Sequence, residues 1–179
     1  IEGDVLTYSA KSSSAGVITT VSKDTLTLTP AANWNGTSTI TAYGSDGSLK
    51  DSTTFSLTVT AVNDAPVIAA VTNDSTNEET EKSIKLSVSD VDGDNLSFET
   101  NSDTTAVAVT ISTDTLKLTP ALNYTGTSVI TVIVSDNALT DTTKFDFKVI
   151  NINDAPVMTA VSNDTTSEDS DGKAIKLSA

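Results

Sequence analysis

Residues 1–66 align without a gap to residues 91–156, an offset of 90 at which 31 of the 66 positions are identical. A repeat of this length must build one supersecondary unit twice, so any fold proposed for one copy has to serve the other. The strongest stretch is Asp24–Ser38 against Asp114–Ser128, and Asn63-Asp64-Ala65-Pro66 returns as Asn153-Asp154-Ala155-Pro156. Residues 157–179 then restart the middle unit: after a one-residue insertion, Ile175-Lys176-Leu177-Ser178 answers Ile84-Lys85-Leu86-Ser87. The chain divides accordingly into the C-terminal part of one repeat (1–66), a complete repeat (67–156) and the N-terminal strands of a third (157–179). Two readings of this phase stand: a window on a longer array, or terminal half-repeats that complete one another between copies by strand donation.

Within a repeat the hydrophobic period is two. Phe145, Phe147 and Val149 alternate with Lys144, Asp146 and Lys148, and Phe55, Leu57 and Val59 alternate with Thr54, Ser56 and Thr58. That spacing places one face of a strand in a core and the other in water. β-branched threonine on the outward positions suits a solvated pleated surface. Turn residues such as Asp92-Gly93-Asp94-Asn95 and Ser135-Asp136-Asn137 separate the runs. Strands are predicted near 67–71, 82–89, 95–100, 106–112, 115–119, 127–135 and 142–151. Seven short strands without an amphipathic helix predict an all-β fold: tandem seven-stranded, immunoglobulin-like β-sandwich repeats.

Composition narrows the chemistry. The chain has no His, Cys, Arg or Gln. It therefore has no Ser-His-Asp triad, no thiol nucleophile and no nitrogen- or sulfur-ligated zinc, and no enzyme activity is expected of it. Ten lysines against 24 acids leave a net charge of −14. Such a charge repels phosphate backbones and anionic lipid, so neither nucleic-acid binding nor membrane insertion of this segment is expected. Hard divalent cations with oxygen ligands are what it attracts.

The sharpest candidate is Ser89-Asp90-Val91-Asp92-Gly93-Asp94-Asn95, with carboxylates at i, i+2 and i+4 and Gly93 free to take positive φ. The first copy keeps only its tail, Glu2-Gly3-Asp4. Read alone, the segment is equally a solvated turn, since Asp and Gly favour turns anyway.

Taken with the linkers Val62–Pro66 and Ile152–Pro156, the segments Leu28–Gly36 and Leu118–Gly126, and the acidic pairs Glu78-Glu79 and Glu168-Asp169, that loop resembles the tandem cadherin-like repeats of large bacterial surface proteins and adhesins. The resemblance implies Ca2+ at the junctions between repeats. Carried over, the junction inside this chain would use Asn63 through its backbone carbonyl, Asp64, Asp90, Asp92 and Asp136, with Asp94 as a further candidate. The next junction would use Glu78 or Glu79 with Asn153 and Asp154, and Asp46, the counterpart of Asp136, would serve the junction before residue 1. Where cadherins carry an Asp two residues before the linker Asn, this chain has Ala61 and Asn151, and where they carry an acidic Leu-Asp-Arg-Glu segment it has Leu28-Thr29-Pro30-Ala31. Fewer carboxylates imply one or two ions per junction and affinities in the weak ~10⁻⁴–10⁻³ M range of extracellular modules.

The resemblance further implies an extracellular, bacterial cell-surface rod, fibre or adhesin stalk. Its partners would be neighbouring repeats of the same chain, further copies in a homopolymer, or a cell-surface or matrix ligand. A glycan-binding adhesive module is the remaining alternative, resting on Trp34 and Tyr124; their shared repeat position favours an aromatic plug over the end of the core instead.

Overall fold

The computed structural model describes residues 5–179. Its strands fall into two sets. The first comprises β1 (Thr7–Ser12), β2 (Val17–Ser22), β3 (Thr25–Pro30), β4 (Gly36–Ser45) and β5 (Lys50–Val59). The second comprises β6 (Val67–Ile68), β7 (Asp74–Asn77), β8 (Lys82–Lys85), β9 (Val88–Ser89), β10 (Ser97–Ser102), β11 (Val107–Ser112), β12 (Thr115–Pro120), β13 (Gly126–Ser135) and β14 (Thr140–Ile150). There is no helix among the described residues.

In the second set one sheet runs β10-β13-β14-β7, and facing strands run β11-β12-β8 with the short pair β6-β9. The first set has β1-β4-β5 and β2-β3. Register repeats at the 90-residue offset: Thr7 pairs with Ser45 as Ser97 does with Ser135, and Gly36 with Val59 as Gly126 does with Val149. Residues identical across the offset thus occupy identical ladder positions.

Of the predicted first strand, 67–71, only Val67–Ile68 forms, and a strand that was not predicted, Asp74–Asn77, follows it. β6 pairs antiparallel with β9, and the chain then crosses to the other sheet, where β7 pairs parallel with β14. β7 reads Asp74-Ser75-Thr76-Asn77 and carries no apolar alternation. Edge position and polar ties hold it: Lys82 contacts Asp74 at 3.0 Å, and the Asp146 amide donates to Asn73 Oδ1 at 2.9 Å. The predicted strand 82–89 is interrupted at Leu86-Ser87, where the Leu86 amide donates to the Asp114 carbonyl and the Ala69 amide to the Ser87 carbonyl. Asp141 Oδ2 accepts the Ile68 amide at 2.9 Å, fastening β6 to the start of β14.

Leu116, Leu118, Ile130, Val132, Val134, Phe145, Phe147 and Val149 form one buried cluster. Each fully buried aliphatic or aromatic side chain is worth about 1.5–3 kcal/mol relative to exposure. The first set is built on the same pattern with a different outcome: Phe55 is 43% exposed where its counterpart Phe145 is 3% exposed. β7 covers the outer edge of β14 and β8 that of β12, whereas β5 and β3 carry no such neighbour among the described residues.

At one end of each set sits an aromatic ring. A Cβ built on Gly16 would fall 2.4 Å from three atoms of the Trp34 ring. At the equivalent place the second set has Ala106 with the smaller Tyr124, whose hydroxyl shares a 3.1 Å hydrogen bond with Ser128 Oγ. The pairs Gly-Trp and Ala-Tyr keep the summed volume nearly constant, which is how a packed plug behaves.

Gly16→Ala should therefore destabilise the first set by about 1–3 kcal/mol through overpacking. Adding Trp34→Tyr should recover most of that loss; a thermal-unfolding double-mutant cycle without positive coupling would show that the ring does not pack there. A second expectation concerns acid. The Ile68 amide, and after it the Thr142 amide, holds the Asp141 carboxyl below its ordinary value. A depressed folded-state pKa gives stability that is present above the unfolded value of about 3.9 and lost as pH falls through the folded one. Urea midpoints measured in chelator should be level above about pH 5 and drop below about pH 4, and Asp141→Asn should flatten that drop.

Candidate metal centre

β9 ends at Ser89, and Asp90 opens the loop that follows. Asp90 Oδ1 accepts the amides of Asp92 and Gly93, both at 2.9 Å, and of Asp94 at 3.3 Å. This side-chain-to-backbone turn is the local structure that Asp offers most readily. Gly93, at φ 78°, takes the left-handed position that the turn demands. With one oxygen committed to three amides, the other is directed inward: Asp90 Oδ2 is buried and has no hydrogen-bond partner.

The turn between β13 and β14 brings the second acid. Asp136 Oδ1 accepts the amides of Ala138 at 2.7 Å and Leu139 at 2.6 Å. Its Oδ2 accepts Nδ2 of Asn63 at 2.7 Å. The Leu139 amide, the Asn63 side chain and the Ala138 amide together hold the Asp136 carboxyl below its usual range, so the group stays ionised although only 7% exposed. Carboxylate oxygens of Asp90, Asp94 and Asp136 all lie within 4.8 Å of one another. Oxygens bound to one Ca2+ at about 2.4 Å can stand at most about 4.8 Å apart, so the three acids fit the first shell of a single hard cation. None of the four ion pairs among the described residues involves them.

The linker residues meet this cluster from the other side. The Asp64 amide donates to Asp92 Oδ2 at 2.8 Å, Asn63 Nδ2 also reaches the Asp64 carbonyl at 3.3 Å, and Pro66 is fully buried. Asp92 thus fastens the linker while Asp90 and Asp94 face the cluster. Asn63 contributes its side-chain amide, a role that its place in a turn-like sequence did not signal.

At the second linker Glu78 is buried and its Oε1 accepts the Ile152 amide at 2.6 Å, while Glu79 is exposed at φ 61°. The left-handed residue turns the two neighbouring acids to opposite sides. Asn153 Nδ2 reaches the Asp154 carbonyl at 3.2 Å, repeating the local geometry of Asn63 and Asp64. Asp46 repeats Asp136: its Oδ1 accepts the amides of Ser48 at 2.8 Å and Leu49 at 2.7 Å. The segment Glu2-Gly3-Asp4, which aligns with Asp92-Gly93-Asp94, lies outside the described residues.

Comparison with known proteins bears on the whole of this arrangement. Residues 63–148 match the family model described as a bacterial Ig domain, and residues 1–60 match that of the cadherin-like domain. No curated protein matches the chain. Among solved structures, domains 4 and 5 of the S-layer protein SbsC are similar at 19% identity and a TM-score of 0.41, with 80% of this chain and 70% of that one covered. Titin domains Z1Z2 in complex with telethonin are similar at 14% identity and a TM-score of 0.42, with 83% of each chain covered. An endo-fucoidan hydrolase from glycoside hydrolase family 107 shows 24% identity and a TM-score of 0.40 over 85% of this chain. This chain spans about a quarter of the hydrolase, 24% of its length. Among the described residues no helix is long and apolar enough to cross a membrane. Repeat, strand order and family matches agree on tandem β-sandwich units, residues 1–60 similar to the cadherin-like domain and residues 63–148 to the bacterial Ig domain.

Proposed function

We propose that this chain is a structural segment of a bacterial extracellular surface protein, a rod or stalk whose joints between repeats are stiffened by Ca2+ and which catalyses nothing itself. The observation that carries this reading is the buried Asp90 Oδ2, left without a partner beside the carboxylates of Asp94 and Asp136. A buried anionic oxygen without a donor is costly, and a cation is the partner that this donor set selects. Asp90, Asp94 and Asp136 are the carboxylate ligands, and Asn63, Asp64 and Asp92 lock the linker against them. At the next joint Glu78, Asn153 and Asp154 take the corresponding places.

The units are the repeats 1–66, 67–156 and 157–179, each whole repeat adding about 30–40 Å, as strands of eight to ten residues at ~3.3 Å per residue with end loops imply. With the ion bound, loop, turn and linker move as one body; without it, three crowded carboxylates repel and the joint loosens. The glycan-platform reading is disfavoured, because Trp34 packs against Gly16 and its counterpart Tyr124 packs against the core.

Ca2+ titration of the chain should raise its melting temperature, with about 2.7 kcal/mol of stabilisation when free Ca2+ reaches about a hundred times Kd. Asp90→Asn keeps the amide-accepting oxygen, and therefore the turn, while removing the charge; it should weaken Ca2+ binding by roughly tenfold or more and leave the chelated protein's melting point nearly unchanged. Mg2+, which demands a tighter octahedral shell, should bind less well. Identical calorimetric titrations of wild type and Asp90→Asn would overturn the assignment.

A further inference from the structure

Every outward residue of β1, β4 and β5 is Ser, Thr, Tyr or Lys. The ladder between β4 and β5 sets the hydroxyls in rows: Thr37 faces Thr58, Thr39 faces Ser56, and Thr41 faces Thr54. Thr41 is half-buried and the other five are exposed. On the same face Thr7 and Ser45 direct their hydroxyls at backbone carbonyls, whereas those six make no hydrogen bond within the chain among the described residues.

This face carries no acid. Asp24, Asp46 and Asp51 of the first set stand in turns or on the inward parity of β5. It does carry Lys11 and Lys50, a local inversion of sign in a chain of net charge −14. Lys50 is held there, its Nζ 3.8 Å from the centroid of the Tyr43 ring. That cation–π contact keeps the ammonium group on the sheet. Lys11 belongs to none of the four ion pairs among the described residues.

The fold does not demand such a face. In the complete repeat the places of Ser9, Thr39, Tyr43 and Ser56 are taken by Glu99, Val129, Ile133 and Asp146. Nor is the exposure that of an open edge, because Lys144, Asp146 and Lys148 on the outward side of β14 stay exposed with β7 paired beside them.

We propose that the outward face of β1-β4-β5 binds a linear acidic polysaccharide. A Ser or Thr hydroxyl both donates and accepts, as a sugar hydroxyl does. The rows offer such groups about 4.8 Å apart across the strands and about 6.7 Å apart along them. Lys11 and Lys50 supply the cations for a carboxylate or sulfate, and the lack of a carboxylate on the face removes the repulsion that the rest of the chain exerts. A nucleic acid, with its denser charge, needs more cations than two lysines provide. A lipid surface needs an apolar face, which this is not. The site adds a ligand to the rod proposed above and uses none of its Ca2+ residues.

The test is calorimetric titration of the 179-residue chain with polygalacturonate, dextran sulfate and neutral dextran, in chelator so that Ca2+ cannot bridge acid to acid. An acidic polymer should bind, neutral dextran should not, and affinity should fall as salt rises. Lys11→Gln with Lys50→Gln should weaken binding roughly tenfold. Thr41→Glu should abolish it, and Lys144→Gln with Lys148→Gln should change it less than about twofold, all with strand content retained. Thr39→Val with Thr54→Val, which keeps shape and removes two hydroxyls, should weaken it without lowering the melting temperature. No binding of either acidic polymer at low salt, binding indifferent to the face variants, or equal binding of neutral dextran overturns the proposal. So does a doubled mass in sedimentation that Thr41→Glu halves, since the face would then meet a second copy. Each of these failures leaves the Ca2+ reading standing, because no Ca2+ is present.

Discussion

The central strand Gly126–Ser135 is the member on which the complete sandwich depends. It is hydrogen-bonded along its length to β14 and over its C-terminal half to β10, and its inward residues Ile130, Val132 and Val134 are fully buried. Tyr124 lies just before its first residue and Asp136 just after its last. One strand therefore fixes the core, the aromatic plug at one end and the buried acid Asp136 at the other. Any shift of its register by one residue would turn the apolar face outward and move both end groups together.

The acids of this chain are positioned by backbone amides more than by lysines. Asp46, Asp90 and Asp136 each accept two or three amides from the residues that follow, and Asp141 accepts the Ile68 amide across strands. Aspartate is short enough to close such turns on its own backbone, which accounts for its excess over glutamate. An amide neutralises only part of a carboxylate's charge, so every turn built this way keeps an anionic face. Where two such turns meet, at Asp90 and Asp136, the residual charge converges on one point and creates the demand for a cation.

Much of the fold was legible because the chain states it twice. Period-two alternation located β11 to β14 closely, and the repeat offset transferred each strand to its counterpart. β7 escaped, since Asp74-Ser75-Thr76-Asn77 has no alternation to read and its pairing is decided by the neighbouring strand. The acidic loop Asp90–Asp94 was visible in its carboxylate spacing, but the division of labour inside it was not. Asp90 and Asp94 face Asp136 while Asp92 turns to the linker amide, and only the path of the loop around Gly93 decides which acid faces where. The same holds for the adjacent Glu78 and Glu79, the second of which is itself left-handed. Asp141 carried a signal that went unread: its counterpart Asp51 recurs at the offset, on the inward parity of a strand whose outward positions all vary.

The partition of roles also explains why the joints and the sandwiches are one problem. In the complete repeat the first hairpin contributes both an inward apolar residue, Leu86, and a buried acid, Glu78, that accepts the amide of the following linker. The hairpin that closes this core thus also ties the linker that follows it. Cooperativity along such an array then needs no long-range pathway, because burial and charge at each joint are supplied by a single element.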